Sequence, residues 1–294
     1  MKITEGYMPF GEYKTYYRVV GDLNSDLTPL LLLHGGPGST HNYFEVFDEL
    51  TEKTGRQVVM YDQLGCGKSD IPDDDSLWKA DTWVSELKQL RIYLGLDRVH
   101  LLGQSWGGML AIIYMCDHQP VGIQSLILAS TLSSSKLWAQ EQHRLIKFMS
   151  KQDQEAIAEA EKVNDFTTEV YRKANGRYMH QHAIGPKTDN LPEYLTRKKQ
   201  TGTRSYQVAW GPNEYNPTGN LENYDYTNKL KSIQVPTLVT SGTNDLCTPL
   251  IAKTMYDQLP KAKWKLFEHS RHMAFFDEKD EYLKTLNNWL EANE

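Results

Sequence analysis

The sequence predicts an α/β protein, a mostly parallel, doubly wound sheet interrupted by a helical cap insertion. Short, continuous apolar runs of the kind buried on both faces recur along the chain, and amphipathic helical stretches alternate with them. The alternation stops near residue 133 and resumes near 231, with polar helical sequence between.

Taken in order, TYYRVVG from Thr15 to Gly21 alternates as an early strand. PLLLLHG, starting at Pro29, and QVVMYDQ, ending at Gln63, read as strands covered on both faces. So do RVHLLGQS, which runs into Ser105, and IQSLILAS, from Ile123 to Ser130. Helical patterns fill the gaps, from His41 to Lys53, Asp81 to Leu94 and Trp106 to Gln119. Long polar helices such as SKLWAQEQHRLIKFMS follow, with no convincing strand. The alternation returns with VPTLVTSG, a helix from Pro249 to Leu259, KWKLFEH and a last amphipathic helix, EYLKTLNNWLEAN. The expected organisation is a core in two parts, 1–132 and 231–294, flanking a cap at 133–230.

A chain of 294 residues has ample material for a hydrophobic core without covalent staples. A mean hydropathy of -0.58 and no long apolar run argue against a membrane-spanning helix. The opening MKITEGYMPFGEYKTYY lacks the apolar stretch of a signal peptide, so the expected location is the cytoplasm, with peripheral association at the cell envelope left open. Three scattered cysteines, Cys66, Cys116 and Cys247, fit free thiols better than a disulfide framework or a zinc set. No metal or cofactor is expected. A net charge of -6 offers no basic stripe to a nucleic acid or an anionic bilayer, and does not repel a small cationic ligand.

The decisive stretch is LLGQSWGGML, where Gly103, Ser105 and Gly107 satisfy G-x-S-x-G between a predicted strand and a predicted helix. A serine on such a turn is lifted above the sheet, and the following helix offers its positive end to developing negative charge. Its hydroxyl needs a base, and the base needs an orienting acid. In the chain order of this motif the acid follows a late strand, which selects Asp245 in TLVTSGTNDLCTP. LFEHSRHMAFF offers His269 and His272 as the base; His272 falls in the loop before the final helix and is preferred. HQH, at His180 to His182, has no third ligand nearby and reads as a solvated face, while His41, His100, His118 and His143 show no partner pattern.

Together with HGGPG at 34–38, YDQLGCGKSD at 61–70, GQSWGG at 103–108, GPNEY at 211–215, GTNDLCTP at 242–249 and SRHM at 270–273, the sequence resembles the proline iminopeptidases. These are serine exopeptidases of the α/β-hydrolase fold, and the likeness is strongest to lactic-acid-bacterial members. It implies Ser105, Asp245 and His272 as a catalytic triad, and the backbone N–H groups of Gly36 and Trp106 as an oxyanion hole. It further implies Glu214 as the carboxylate that holds the substrate's N-terminal amine. The implied substrates are short peptides with N-terminal proline, cleaved through a prolyl-enzyme. The alternatives are a carboxylesterase of the same fold and a prolinase acting mainly on Pro-Xaa dipeptides.

One departure from the pattern is Leu246, where some relatives carry a second acidic residue directly after the catalytic Asp. Another is Arg271, before His272, which is expected to point to solvent. Trp138, Phe148, Tyr206 and Trp210 are candidates to line a pocket for the proline ring, and Cys66 and Cys247 flank the expected site loops.

Overall fold

The computed structural model describes residues 1–22, 25–184 and 191–294. Its single sheet contains β1 (Ile3–Phe10), β2 (Tyr13–Val20), β3 (Leu30–Leu33), β4 (Val58–Tyr61), β5 (Val99–Gln104), β6 (Ile123–Ala129), β7 (Thr237–Gly242) and β8 (Ala262–Phe267). Their spatial order is β1-β2-β4-β3-β5-β6-β7-β8. The β1–β2 and β2–β4 pairings are antiparallel, and all those from β4 to β8 are parallel. This is the mostly parallel, doubly wound sheet that the alternation predicts, in the α/β-hydrolase architecture that the resemblance implies.

The helices are α1 (Asp48–Thr54), α2 (Ala80–Tyr93), α3 (Trp106–His118), α4 (Ser135–Ile146), α5 (Lys151–Val163), α6 (Glu169–His182), α7 (Glu193–Thr196), α8 (Thr203–Ala209), α9 (Pro249–Gln258), α10 (Ala274–Asp277) and α11 (Lys279–Ala292). Five of them, α4 to α8, lie between β6 and β7 in sequence. Among the described residues, no helix is long and apolar enough to cross a membrane.

Side chains alternate across the sheet with a period of two, so each apolar run feeds both faces. Leu31, Leu33, Val59, Leu101 and Leu128 join the core layer shared with α2, α3 and α9. Leu30, Leu32, Met60, Leu102 and Ile127 join the opposite layer, with Phe44, Phe47 and the apolar side of α11. Burying each such leucine contributes about 1.5–3 kcal/mol.

Two elements differ from the sequence reading. β1 is an edge strand of which only Met8 is fully buried; Ile3 is 47% and Tyr7 51% exposed. Its apolar pattern is therefore too broken to announce a strand. The single helix expected from His41 to Lys53 is a 3₁₀ segment, His41–Phe47, followed by α1. Here the His41 backbone N–H and ring Nδ1–H both donate to Asp62 Oδ1 at 2.8 Å, which fixes the start of the segment to the loop after β4.

Parallel registers bring the strand ends level: Leu33 pairs with Gly103, Gly103 with Leu128 and Leu128 with Val239. The loops that leave β3, β5, β6 and β7 consequently open at one edge of the sheet, where ligands of such folds bind.

Below this edge α2 buries Glu86 completely. Its Oε1 accepts hydrogen bonds from Thr15 Oγ1 and from the Leu64 N–H, whereas Oε2 is buried without a partner. Burial pushes this carboxyl up to about 8. An unfolded glutamate titrates near about 4.3. Between those values the folded chain retains a proton that the unfolded chain has lost, so stability falls as pH rises through this window. Glu86→Gln is expected to flatten that fall, read as melting temperature from pH 5 to 9. An unchanged slope would assign the pH dependence elsewhere.

Candidate active site

Ser105 occupies the turn between β5 and α3 at φ 54° and ψ -123°. A non-glycine residue in such a region costs about 1–3 kcal/mol and persists only where its surroundings hold it. Its N–H donates to Ala129 O at 3.0 Å, and its carbonyl accepts from Thr131 Oγ1 at 2.6 Å. The turn also depends on backbone contact that no side chain permits. A Cβ on Gly107 would run into the Leu33 carbonyl, and one on Gly103 into the Gly107 carbonyl.

Asp245 is 1% exposed and sits just past β7. Oδ1 accepts from His272 Nδ1–H at 2.7 Å and from the Cys247 N–H at 2.8 Å. Oδ2 accepts from Ser130 Oγ at 2.6 Å and from the Gly242 N–H at 3.1 Å. With Nδ1–H committed to this carboxylate, His272 keeps Nε2 as the acceptor nitrogen. Gln104, the residue before Ser105, donates Nε2–H to the His272 carbonyl at 3.2 Å. The base loop is thereby tied to the segment that carries the serine. His269 is bound elsewhere, its N–H donating to Glu278 Oε2 at 2.9 Å.

The HGGPG loop lies against the serine. A Cβ on Gly35 would be 3.1 Å from Ser105 Cβ, and Gly36 has φ +115°, which favours glycine. His34 is fully buried, and burial lowers its imidazole to about 4. In that neutral form Nδ1–H donates to Gly35 O at 2.9 Å, and Nε2 accepts from the Gln63 N–H at 3.0 Å. Gln63 donates in turn to the His34 carbonyl at 3.0 Å and accepts from Trp106 Nε1–H at 2.8 Å. Tyr43 hydroxyl accepts from the Gly35 N–H at 2.6 Å and donates to Gln104 Oε1 at 2.9 Å. Trp106 opens α3, where a backbone N–H has no carbonyl of a preceding turn to bond.

Glu214 is half-buried and accepts from Tyr206 hydroxyl at 2.8 Å. Burial raises its carboxyl above the ordinary range, against the opposing effects of the His272 ring and the Tyr206 hydroxyl. Trp138 spans the two groups: its Nε1–H donates to the Glu214 carbonyl at 2.9 Å, and its ring centroid is 6.0 Å from that of His272. Trp138 also meets Trp210 edge-on at 6.4 Å. These contacts gather Trp138, Tyr206 and Trp210 around Glu214. Phe148, at 75% exposed, is outside that cluster.

Leu246 is buried, and its carbonyl accepts from Gln142 Nε2–H at 2.8 Å. Arg271 does not simply point to solvent; its Nη1 lies 3.4 Å from Asp277 Oδ1, with the side chain 25% exposed. Cys66 and Cys247 are fully buried, and burial raises both thiols far above their ordinary range. Neither is a thiolate at neutral pH.

The solvated-face reading of HQH holds for His180 and fails for His182. His182 is 5% exposed, donates Nδ1–H to Asn244 O at 2.9 Å and accepts from the His272 N–H at 3.2 Å through its carbonyl. One residue at the end of α6 thus holds the loops of both Asp245 and His272. His41 likewise gains carboxylate partners in Asp62 and Glu45; burial opposes its charged form, but these two acids prevail and raise its pKa. Sequence reasoning also missed Ser130, Gln104 and Tyr43. Ser130 had a positional signal, since it ends a buried strand beside the nucleophile strand, and it adopts φ +48°.

With this geometry in place, comparison with known proteins is direct. Residues 28–279 match the family described as alpha/beta hydrolase fold. The chain is 68% identical over 294 residues to the proline iminopeptidase of Levilactobacillus brevis, covering 100% of this chain and 98% of that one. Among solved structures, VinJ superposes with a TM-score of 0.91 at 34% identity, covering 99% of each chain. The proline iminopeptidase of Mycobacterium smegmatis gives 0.87 at 28% identity, covering 99% of this chain and 98% of that one. On identity sustained along its whole length, the chain belongs to the proline iminopeptidases, within the α/β-hydrolase fold.

Proposed function

We propose that the chain is a serine exopeptidase that releases N-terminal proline from peptides. The observation that carries this reading is Glu214, whose carboxylate is held by Tyr206 and whose main-chain carbonyl accepts from Trp138, the indole that meets the His272 ring. A protonated N-terminal proline is a secondary ammonium with two N–H donors, which a carboxylate satisfies in charge and in direction. An internal proline has no such donor. It would leave the carboxylate desolvated and unpaired, at a cost of roughly 1–3 kcal/mol or more. Burying the three ring methylenes among Trp138, Tyr206 and Trp210 contributes about 2 kcal/mol, at roughly 0.8 kcal/mol each.

In this reading Ser105 Oγ attacks the prolyl carbonyl while His272 Nε2 takes its proton. Asp245 fixes the imidazole through Nδ1–H and balances the imidazolium that forms. The N–H groups of Trp106 and Gly36 receive the oxyanion. The tetrahedral intermediate collapses as His272 returns the proton to the departing peptide nitrogen, which leaves a prolyl ester on Ser105. Water then attacks that ester with His272 as base, and proline is released. Residues 133–230 act as the cap that supplies Glu214 and its aromatic neighbours.

An esterase of the same fold would share the triad and have no use for Glu214. Glu214→Ala is therefore expected to lower kcat/KM for Pro-β-naphthylamide roughly 10- to 100-fold, as loss of a charged hydrogen bond does. Hydrolysis of a small neutral ester should change little. Equal losses on both substrates would remove the amine-anchor role.

His182 acts as a positioning residue through the two loops that it holds. His182→Ala is expected to lower kcat about 10-fold with little change in KM, the worth of roughly one hydrogen bond. His182→Asn, whose amide N–H stands near the place of Nδ1–H, should restore most of it. If Asn is as poor as Ala when kcat and KM are compared on Pro-β-naphthylamide, packing rather than this hydrogen bond is the cause.

A further inference from the structure

The stretch YDQLGCGKSD, Tyr61 to Asp70, marks the sequence as clearly as the serine motif and carries no step of the reaction above. It leaves β4, and β3 lies between β4 and β5 in the sheet. The HGGPG turn after β3 therefore has this loop on one flank and the Ser105 turn on the other. Two adjacent residues of the loop hold the two ends of the HGGPG segment. Asp62 Oδ1 accepts from the His41 N–H at 2.8 Å, just beyond the turn, while Oδ2 accepts from the Lys68 N–H at 2.8 Å and folds the loop back on itself. Gln63 holds the front: its main-chain N–H donates to His34 Nε2 and its Nε2–H to the His34 carbonyl, both at 3.0 Å.

Gln63 then reaches past His34 to the far flank. Its Oε1 accepts from Trp106 Nε1–H at 2.8 Å. One orientation of the amide satisfies both of its atoms, the oxygen on a donor and the nitrogen on an acceptor. Gln63, His34 and Trp106 are each at most 1% exposed, so bulk water does not compete for these bonds. Nearby, main chain meets main chain: a Cβ on Gly107 would crowd the carbonyls of both Leu33 and His34. One buried side chain is thus bonded to the residue that opens the HGGPG turn and to the residue that follows the nucleophile. Those are the two segments that carry Gly36 and Trp106.

We propose that Gln63 is a positioning residue for the oxyanion hole, setting the separation between the N–H groups of Gly36 and Trp106. The inference rests on the exopeptidase reading, in which those two groups receive the oxyanion. Donors of this kind act at about 2.7–3.1 Å from the oxyanion. A misplacement of about 1 Å in a reacting geometry costs on the order of 100-fold. The tetrahedral oxyanion needs the hole more than the planar carbonyl does, so lost spacing falls on kcat rather than on KM.

The test breaks one link at a time. Gln63→Met keeps the length of the side chain and removes both amide bonds. Trp106→Phe removes the indole N–H and leaves the main-chain N–H of the hole in place. Each protein is then offered two competitive inhibitors with the same ring and amine, pyrrolidine and pyrrolidine-2-boronic acid. Only the second is attacked: Ser105 Oγ bonds to boron, its proton passes to His272, and the anionic tetrahedral boronate directs an oxygen into the hole. In each variant the Ki of the boronic acid, divided by that of pyrrolidine, is expected to rise roughly tenfold, a fraction of the 100- to 1000-fold that losing a donor outright costs. On Pro-β-naphthylamide kcat should fall by a similar factor with KM nearly constant. The Ki ratio is independent of how much protein is folded, so a variant that is merely less stable keeps the wild-type ratio. The double variant should be no worse than Gln63→Met, because both changes break one bond; losses that simply add overturn the shared link. A wild-type ratio in both single variants, whatever happens to kcat, overturns the role of Gln63 while leaving proline release by the wild type intact. No proline release by the wild type overturns the exopeptidase reading and this inference with it.

Discussion

A fully buried carboxylate must be paid for in hydrogen bonds, and Asp245 accepts four. An ion removed from water loses several kcal/mol of solvation unless charge and lone pairs are both met. The four donors come from the end of β6, the end of β7, the Asp245 loop itself and the His272 loop. Three of them are supplied by the sheet edge and the acid loop, independently of the imidazole. The carboxylate is therefore held in place before it orients anything, and the Nδ1–H of His272 completes the set.

From that anchor the order spreads through small polar links rather than through a large apolar contact. Gln104 ties the His272 carbonyl to the strand that leads into Ser105, and its other amide atom meets Tyr43, which receives the Gly35 N–H. The loop above the serine and the loop of the base are thus two ends of one chain of hydrogen bonds. His34, Gln63 and Trp106 make a second chain on the far side of the HGGPG turn. Both depend on neutral, buried side chains with fixed donor and acceptor atoms, so each group has one satisfactory orientation.

What the sequence made legible follows from how much of each segment is buried. β3 is covered on both faces and shows as an unbroken apolar run, and β5 and β6, almost wholly buried, are apolar for most of their length, whereas β1 shows only Met8 to the core and has no such run. Ser105, Asp245 and His272 stand at strand ends, where chain order and loop position restrict the choices. His182 was misread because a histidine at the end of a polar helix looks solvated unless the loop that packs on it is known. Ser130, Gln104 and Tyr43 are tied to the site by the Ser130–Asp245, Tyr43–Gln104 and Gln104–His272 hydrogen bonds, between segments 61 to 168 residues apart, a relation that no local pattern encodes. The exposure of Phe148, beside the burial of Trp138, has the same origin: helical sequence reports amphipathicity, not which neighbour covers each face.

The segment from Gln200 to Gly202 gives the helical insertion a second role. The Gly202 N–H donates to the Gly38 carbonyl and the Gln200 carbonyl accepts from the Gly67 N–H, both at 2.7 Å, so main chain of the insertion is bonded to two loops of the sheet edge. A Cβ on Gly202 would collide with the Gly65 carbonyl. Insertions between core strands are commonly treated as exchangeable modules that set selectivity on an indifferent scaffold. Here an exchanged insertion would have to bring its own two backbone partners at the same places, or leave the HGGPG turn with a carbonyl unmet. A chimera that borrows a lid from a distant hydrolase therefore inherits a folding problem in the core loops before it meets a question of selectivity.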